Sequence, residues 1–406
     1  MCCIHCKAGP YLLSMHKEQP LSFENTEVAF RHSSNADLRR AYWLFKVINS
    51  NFLVKIGPPL TSLALKMGLP IQGMIKKTIF RQFCGGENIR ECETTIKTLA
   101  KGGVGTILDY SIEGEDDEQV FDETRDEILR TIRRAAKDPS IPITVFKVTG
   151  VGRFSLLQKM DERMPLTDTE IEEWQRVADR VMAICEKAYS ACVPVMIDAE
   201  ESWIQDTIDL LALNMMRNYN KEQAIVYNTY QLYRADKLTS LKQDGATAKA
   251  EQFILGAKLV RGAYMEKERN RAGELGYPSP IQPDKFATDS DFNFALDYCT
   301  DNINAVAFIA GTHNEDSCRY LTDLLKKKEI NPKHKHVYFA QLLGMSDNLS
   351  FNLADGGYNV AKYVPYGPIK AVMPYLFRRA QENTAISGQM SRELSLIVKE
   401  VKRRKV

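Results

Sequence analysis

Residues 193–231 read VPVMIDAEESWIQDTIDLLALNMMRNYNKEQAIVYNTYQ. An apolar run, Val193–Ala199, leads into an amphipathic segment, Trp203–Arg217, and then into a second apolar run, Ala224–Gln231. Short β-branched runs bounded by polar residues read as buried strands, and the periodic charged segment between them as a covering helix. Strands that are apolar without alternation belong to a parallel sheet covered on both faces.

The same alternation continues in both directions. Upstream, Val104–Ser111 precedes a charged helix over Asp116–Lys137, and Ile143–Thr149 precedes a helix over Asp168–Tyr189 with Thr167 as its cap. Downstream, Leu255–Gly262 is followed by an irregular Gly/Pro-rich stretch and a helix over Ser290–Asp301. Ala305–Gly311, Val337–Leu343 and Val360–Val364 are each followed by a helical segment: Asp316–Lys328, Asp347–Leu353 and Ile369–Glu382. Together with a helix running through Ala235–Phe253, this makes eight strand-then-helix units, which fit a (βα)8 barrel of the TIM type better than an open sheet. Pro365 is expected to end the eighth strand. Residues 37–83 read as helices, with Leu38, Tyr42 and Phe45 on one stripe and Lys55, Lys66, Lys76 and Lys77 interspersed. The expected organisation is a flexible segment over 1–36, a helical arm over 37–100, the barrel over 101–391 and a basic tail over 392–406.

The 406 residues are 44% hydrophobic and 26% charged, and 54 basic against 52 acidic residues leave a net charge of +2. That balance argues against a nucleic-acid-coating protein, and the longest apolar runs are too short to span a bilayer. Nine cysteines are too few for a disulfide scaffold and lack zinc spacing. Cys2, Cys3, His5 and Cys6 are too crowded to wrap one metal ion; Met15 is the expected initiator. The first twenty residues contain no Arg, so a cytoplasmic protein is expected rather than a mitochondrial one. The five basic residues of 399–405 read as a solvated tail, with attraction to an anionic membrane surface as the alternative.

In a barrel the ends of the strands share one mouth, where chemistry gathers. Those ends carry Asp109, Lys147, Asp198, Gln231, Arg261, His313, Gln341 and Tyr363. Strand alternation puts Lys258 on the face of Val260 and Gly262, pointing into the barrel, where an ammonium needs an anion such as Asp198, followed by Glu200 and Glu201. Arg378 and Arg379 lie on the last helix with Glu382 one turn on; they read either as a solvated face or as two guanidinium forks for a carboxylate, held by that glutamate. Gly150-Val-Gly152 imitates a dinucleotide fingerprint, but Ser155 stands at its third glycine position. The histidines do not provide a metal site: His313 alone sits at a strand end.

With KLVRGAY at 258–264, GTHN at 311–314, QLLGM at 341–345, YVPYG at 363–367 and YLFRRAQEN at 375–383, in that order, the chain resembles the proline dehydrogenase family over 85–391. The resemblance implies a distorted barrel holding FAD, with the last helix displaced over the mouth, in the single-activity form. It implies oxidation of L-proline to Δ1-pyrroline-5-carboxylate, by hydride transfer from C5 to flavin N5, with a membrane quinone as electron acceptor. That acceptor gives the arm and the basic tail a use in peripheral contact with the inner membrane. By resemblance Arg378, Arg379 and Lys147 surround the proline carboxylate, Tyr363 and Leu342 line the ring pocket, and Tyr264 closes it. The flavin is expected against Ala199, Gln231, the Arg261-Gly262-Ala263 turn, Thr288, Thr312 and His313, and Asp198 and Lys258 match positions treated as catalytic. Many bacterial members carry Arg where this chain has Lys258, which cannot make a two-pronged contact. Two alternatives remain: hydroxyproline oxidation, against which Tyr363 speaks, and a Schiff-base aldolase in which Lys147 attacks a carbonyl.

Overall fold

The structure, a computed structural model, describes residues 21–48, 67, 70–111, 116–385 and 387–406, side chains of 380–391 excepted. Eight strands, β1 (Gly105–Tyr110), β2 (Ile143–Phe146), β3 (Val195–Ile197), β4 (Val226–Gln231), β5 (Leu255–Val260), β6 (Val306–Gly311), β7 (Val337–Leu342) and β8 (Val360–Tyr366), pair in sequence order. All pairs are parallel, and β8 returns to β1 to close a barrel. Helices α1 (Thr26–Phe30), α2 (Asn35–Ile48), α3 (72–83, π-helical over Lys76–Phe80) and α4 (Glu93–Lys101) precede β1. Around the barrel follow α5 (Glu118–Ala135), α6 (Phe154–Asp161), α7 (Asp168–Ser190), α8 (Ser202–Tyr219), α9 (Lys237–Ala250), α10 (Met265–Leu275), α11 (Lys285–Asp301), α12 (Glu315–Lys327) and α13 (Asp347–Asp355). Two helices, α14 (Ile369–Ala385) and α15 (Ser387–Arg404), finish the chain.

The strand period divides the core in two. Ile107, Val145, Met196, Tyr227, Ile309 and Tyr363 fill the barrel with Ala307, Ala340 and Ala361, large side chains facing small ones. The alternate residues, among them Leu108, Phe146, Ile197, Leu259 and Phe308, point outward against the helices. Helix starts follow local chemistry: Thr167 and Glu170 form a reciprocal capping box on α7, and Asp117 and Asp284 cap α5 and α11. A separate cluster joins Phe30, Leu38, Phe45, Phe80 and Phe83 to Val372 and Leu376 of α14 and to Leu396 and Ile397 of α15. In this cluster the last two helices pack on the arm, and each fully buried phenylalanine contributes about 1.5–3 kcal/mol.

Four expectations change. Pro365 does not end β8, which runs to Tyr366. Its missing N–H interrupts no β7–β8 ladder bond, because that pairing extends only as far as Tyr363. The Gly/Pro-rich stretch after β5 holds α10, and α6 follows the false fingerprint. Residues 392–406 form most of α15 instead of a solvated tail: Leu396 and Ile397 are buried, and Arg404 donates to the carbonyl oxygens of Phe30 and Ser33. Phe23 and α1 likewise order part of the segment 1–36. Cys2, Cys3, His5, Cys6, Met15, Lys55 and Lys66 lie outside the described residues, as does the Glu382 side chain. Among the described residues no helix is long and apolar enough to cross a membrane.

Candidate active site

Asp198 stands one residue beyond β3, and the barrel brings three groups to its carboxylate. The Lys258 ammonium of β5, 5% exposed, donates a short hydrogen bond to Asp198 Oδ1. It also donates to Tyr363 Oη at 2.8 Å, and that hydroxyl donates in turn to Asp198 Oδ1 at 3.2 Å. Lys147, one residue beyond β2, reaches Asp198 Oδ2 at 3.5 Å. Lys258 therefore does point into the barrel, as strand alternation requires.

Burial pushes the Asp198 carboxyl up, but Lys258, Lys147 and the hydrogen bonds from Lys258 and Tyr363 outweigh it, so the group is held below the usual carboxylate range. Burial pulls the Lys258 ammonium down, and Asp198 opposes the pull. The Tyr363 phenol is driven well above its ordinary value by burial and by the Asp198 charge, so it stays a neutral donor.

Behind this cluster lies a carboxyl that sequence reading noted only as a neighbour. Glu200 is 3% exposed; it accepts from Thr149 N–H at 3.1 Å and, through a shorter bond, from Thr149 Oγ1. Burial pushes it up to about 8, so it is neutral at pH 7 and does not compete with Asp198 for the lysines. Its carbonyl oxygen accepts from Gln231 Nε2 at 3.0 Å, which ties the exits of β3 and β4.

The residues expected near a flavin lie at or just beyond the ends of β3, β4, β5 and β6 and on α11. Gln231 Oε1 is buried with no hydrogen-bond partner among the described residues. Arg261 is held by Asp289 at 2.7 Å, Thr312 Oγ1 at 2.6 Å and Ser317 Oγ at 2.9 Å, with its guanidinium 4.5 Å from the Phe292 ring centroid. That anchoring presents the backbone of Gly262 and Ala263, both exposed, at the mouth. Gly262 has φ +141, and a Cβ there would collide with the Tyr233 ring, so the turn requires glycine. Thr288 is buried on α11 and bonded to the Asp284 carbonyl. Ala199 is buried between Asp198 and Glu200. His313 Nε2 accepts from Leu342 N–H at 3.4 Å, and its Nδ1 lies 2.9 Å from Ser346 Oγ. Burial, reinforced by the charges of Lys362, Arg379 and Arg261, pushes His313 down to about 3, so the imidazole is neutral.

The arginine pair approaches from the other side. Arg378 lies over the Tyr264 ring, 5.9 Å from its centroid, and Arg379, 7% exposed, over Tyr375 at 5.2 Å. Leu342 packs both against the barrel interior with Tyr363 and against the cluster that holds α14. Ser346 and Glu393, which underlie this side of the rim, carry no local signal in the sequence; Lys362, a lysine in the middle of β8 next to Tyr363, was the one available hint. Among the described residues no three His, Cys, Asp or Glu side chains gather as a metal site.

A family model described as proline dehydrogenase matches residues 92–392, which include every residue of the site just described except Glu393. The chain belongs to the proline dehydrogenase family. It is 35% identical to proline dehydrogenase 1, mitochondrial, of Dictyostelium discoideum, over 94% of this chain and 74% of that one. It is 33% identical to the carbapenem antibiotics biosynthesis protein CarD of Pectobacterium carotovorum, over 82% and 87% of the two chains. The human proline dehydrogenase 1, mitochondrial, is 42% identical over 58% of this chain and 40% of its own length. Proline utilization A of Bdellovibrio bacteriovorus, solved after inactivation by N-propargylglycine, has the same fold: TM-score 0.69 at 19% identity, over 88% of this chain and 38% of that one.

Membership makes the chain an oxidoreductase acting on proline, with a flavin as the family's cofactor. It favours neither hydroxyproline oxidation nor an aldolase. The cytoplasmic expectation is corrected: relatives from Dictyostelium, Drosophila, Caenorhabditis, human and Arabidopsis are all named as mitochondrial. A count of arginines over twenty residues is too coarse a signal to set against them.

Proposed function

We propose that the chain oxidises L-proline to Δ1-pyrroline-5-carboxylate by hydride transfer from C5 to N5 of FAD, with re-oxidation by a membrane quinone, and that it works in mitochondria. The observation that carries this reading is Leu342, packed both on the barrel-interior cluster that includes Tyr363 and on the cluster through which the arginine helix is held. Such a residue supports the reading of a wall for a small apolar ring near groups suited to a carboxylate.

The residues present fit a flavin. The buried Gln231 Oε1 suits a donor that a ligand brings, and the Gly262 turn offers backbone without a side chain in front of it. The neutral His313 and the Thr312 hydroxyl add uncharged polar groups. Bound FAD supplies the two-electron acceptor.

The chain's own residues do the rest. Arg378, Arg379 and Lys147 bind the carboxylate by charge-assisted hydrogen bonds, the only charged handle that fixes the ring in one orientation. Tyr363 and Leu342 exclude water from the other face. Lys258 and Asp198 clamp the Tyr363 hydroxyl, so the ring wall cannot tilt, and reaction distance is held without reorganisation. Contact with an anionic membrane is supported by α2. Its outer stripe carries Arg39, Trp43 and Lys46 with Val47; Trp43 is 60% exposed and the Lys46 ammonium sits 5.0 Å from its ring.

Anaerobic addition of L-proline to the purified protein tests the reading. A flavin spectrum that bleaches, with FAD released on denaturation, is the expected result. A colourless protein, or a spectrum indifferent to proline, overturns it.

A further inference from the structure

We propose that Glu393, on the C-terminal helix α15, is a positioning residue for the oxidation: it holds the loop after β7, and through Ser346 fixes the orientation of His313 at the flavin edge. The inference rests on the flavin reading given above.

The loop between β7 and α13 is an unlikely place for a rigid rim by its backbone alone. Ser346 has φ +50 and ψ +43, the left-handed region that non-glycine residues seldom occupy, so its surroundings must hold it there. They do so from three directions. From within the barrel wall, the Lys362 ammonium, 0% exposed, donates to the carbonyl oxygens of Leu342 at 3.2 Å and Met345 at 2.6 Å and pairs with Asp347 at 2.8 Å. From the arm, Gln82 Nε2 of α3 donates to Gly344 O at 3.1 Å. From the last helix, the buried Glu393 carboxyl accepts a short hydrogen bond from Ser346 N–H.

What this buried carboxyl achieves is read at His313. Leu342 N–H donates to Nε2, so Nε2 carries the lone pair and Nδ1 the proton, and Nδ1–H donates to Ser346 Oγ. The two contacts come from Leu342, the last residue of β7, and from Ser346, the last residue of the loop that follows it. If Ser346 moves, the imidazole loses the partner of its proton, and Leu342, the apolar wall, moves with it. A carboxyl taken out of water is costly unless it is hydrogen-bonded, and a leucine would pack the same space without that cost. The charged groups facing Glu393 are Asp347, which pushes it up, and Lys362, which pulls it down. Glu393 lies one residue past the span that the family model matches.

The test compares Glu393→Gln, which keeps an acceptor for Ser346 N–H, with Glu393→Leu, which keeps the volume and removes the acceptor; both are made in the full chain with flavin bound. Glu393→Leu is expected to lower kcat for proline by roughly tenfold to a hundredfold, the cost of a displacement of order 1 Å, and to shift the flavin visible spectrum. Glu393→Gln is expected to stay within about threefold of wild type. Ser346→Gly relieves the backbone and keeps the N–H but removes Oγ, so it should reproduce the spectral shift even if Glu393→Leu does not fold. Long-range 1H–15N spectra of the ring nitrogens, assigned with His313→Gln, report the tautomer independently of turnover. A single Nδ1–H form in wild type, with its Nδ1 resonance shifted in Glu393→Leu and in Ser346→Gly as that proton loses the Ser346 Oγ acceptor, is expected. An Nε2–H form in wild type, equal losses in the Gln and Leu variants, or unchanged ring-nitrogen resonances and kcat in Ser346→Gly overturns the proposal. Wild type that shows the Nδ1–H tautomer but no flavin bleaching by proline would instead sink the flavin reading.

Discussion

Replacing Asp198 by Asn leaves the shape of the site nearly intact and removes the charge that its lysines share. Lys258 is 5% exposed and Lys147 lies 3.5 Å from the other carboxylate oxygen, so the variant retains two ammoniums with no carboxylate between them. Removing one partner of a buried pair costs about 3–5 kcal/mol, far more than the pair's net worth, because the remaining charge stays desolvated. The loss should depend on pH in a definite direction. With Asp198 gone, only the Asp109 charge still opposes burial and Lys147 at Lys258, and its folded-state value falls further below that of the unfolded chain, about 10.4. Between those two values the unfolded chain binds more protons than the native one, so stability rises with pH across the window. Urea unfolding of Asp198→Asn and wild type, followed by tryptophan fluorescence at pH 7, 8 and 9, measures the gap. A deficit of about 3–5 kcal/mol at pH 7 that narrows by pH 9 is expected. A deficit under about 0.5 kcal/mol, or one that is flat across this range, would refute the idea that Asp198 neutralises buried lysines.

Arg379→Ala should raise KM for proline about 10- to 150-fold with a smaller change in kcat, the loss of roughly 1.5–3 kcal/mol of charged hydrogen bonding; unchanged steady-state kinetics would remove Arg379 from the carboxylate site. Glu200 is raised from 4.5 to about 8 in the fold, so wild-type stability falls as pH rises between those values. Denaturation of Glu200→Gln should therefore show a gain over wild type that grows by roughly 2–3 kcal/mol from pH 6 to pH 8 and no further above it; a gap independent of pH contradicts the buried, neutral carboxyl. Sedimentation with phosphatidylserine-containing vesicles should retain wild-type protein and lose most of it in Trp43→Ala with Lys46→Ala, at unchanged dye-linked proline oxidation. Equal retention of both removes α2 from the membrane contact.

How much of this was legible in the sequence follows from the range of each interaction. The strands were readable because their rule is local: Val195–Ile197 and Val226–Gln231 are apolar runs whatever surrounds them. The inward aim of Lys258 followed from the period of two, and the charge it needed was two strands along, at the exit of β3, in Asp198. The β7 loop was not legible. Ser346, Lys362 and Glu393 matter through contacts between residues 313, 346, 362 and 393, and no periodicity connects positions that far apart. The C-terminal helix was misread because its basic residues were weighed as charge; Arg403 and Arg404 are instead spent on Glu400, which is 0% exposed, and on the α1 carbonyls.

The displaced last helix raises a question that α4 answers. In a regular barrel the helix after β8 covers the outer face where β8 meets β1, and a bare sheet face there would expose apolar residues and leave the barrel open to water. Here α14 packs on α2, α3 and α15 instead. The vacant face is filled from the N-terminal side: Cys92, Ile96 and Leu99 pack in the outer core with Leu108 of β1 and Val364 of β8. The chain leading into α4 lies directly on β8, since Gly85 donates to Pro365 O at 2.8 Å and a Cβ at Gly85 would come within 2.5 Å of Val364. Tyr366 completes the seal by bonding Thr131 at 2.8 Å and Glu127 at 2.9 Å on α5. A segment that precedes the first strand thus does the work of the eighth helix, and this substitution is what lets α14 leave the wall and carry Arg378 and Arg379 to the mouth. It also places the physical start of the barrel ahead of α4, in keeping with a family match that begins at residue 92, and makes the packing of Cys92 and Ile96 a condition for the displaced position of α14.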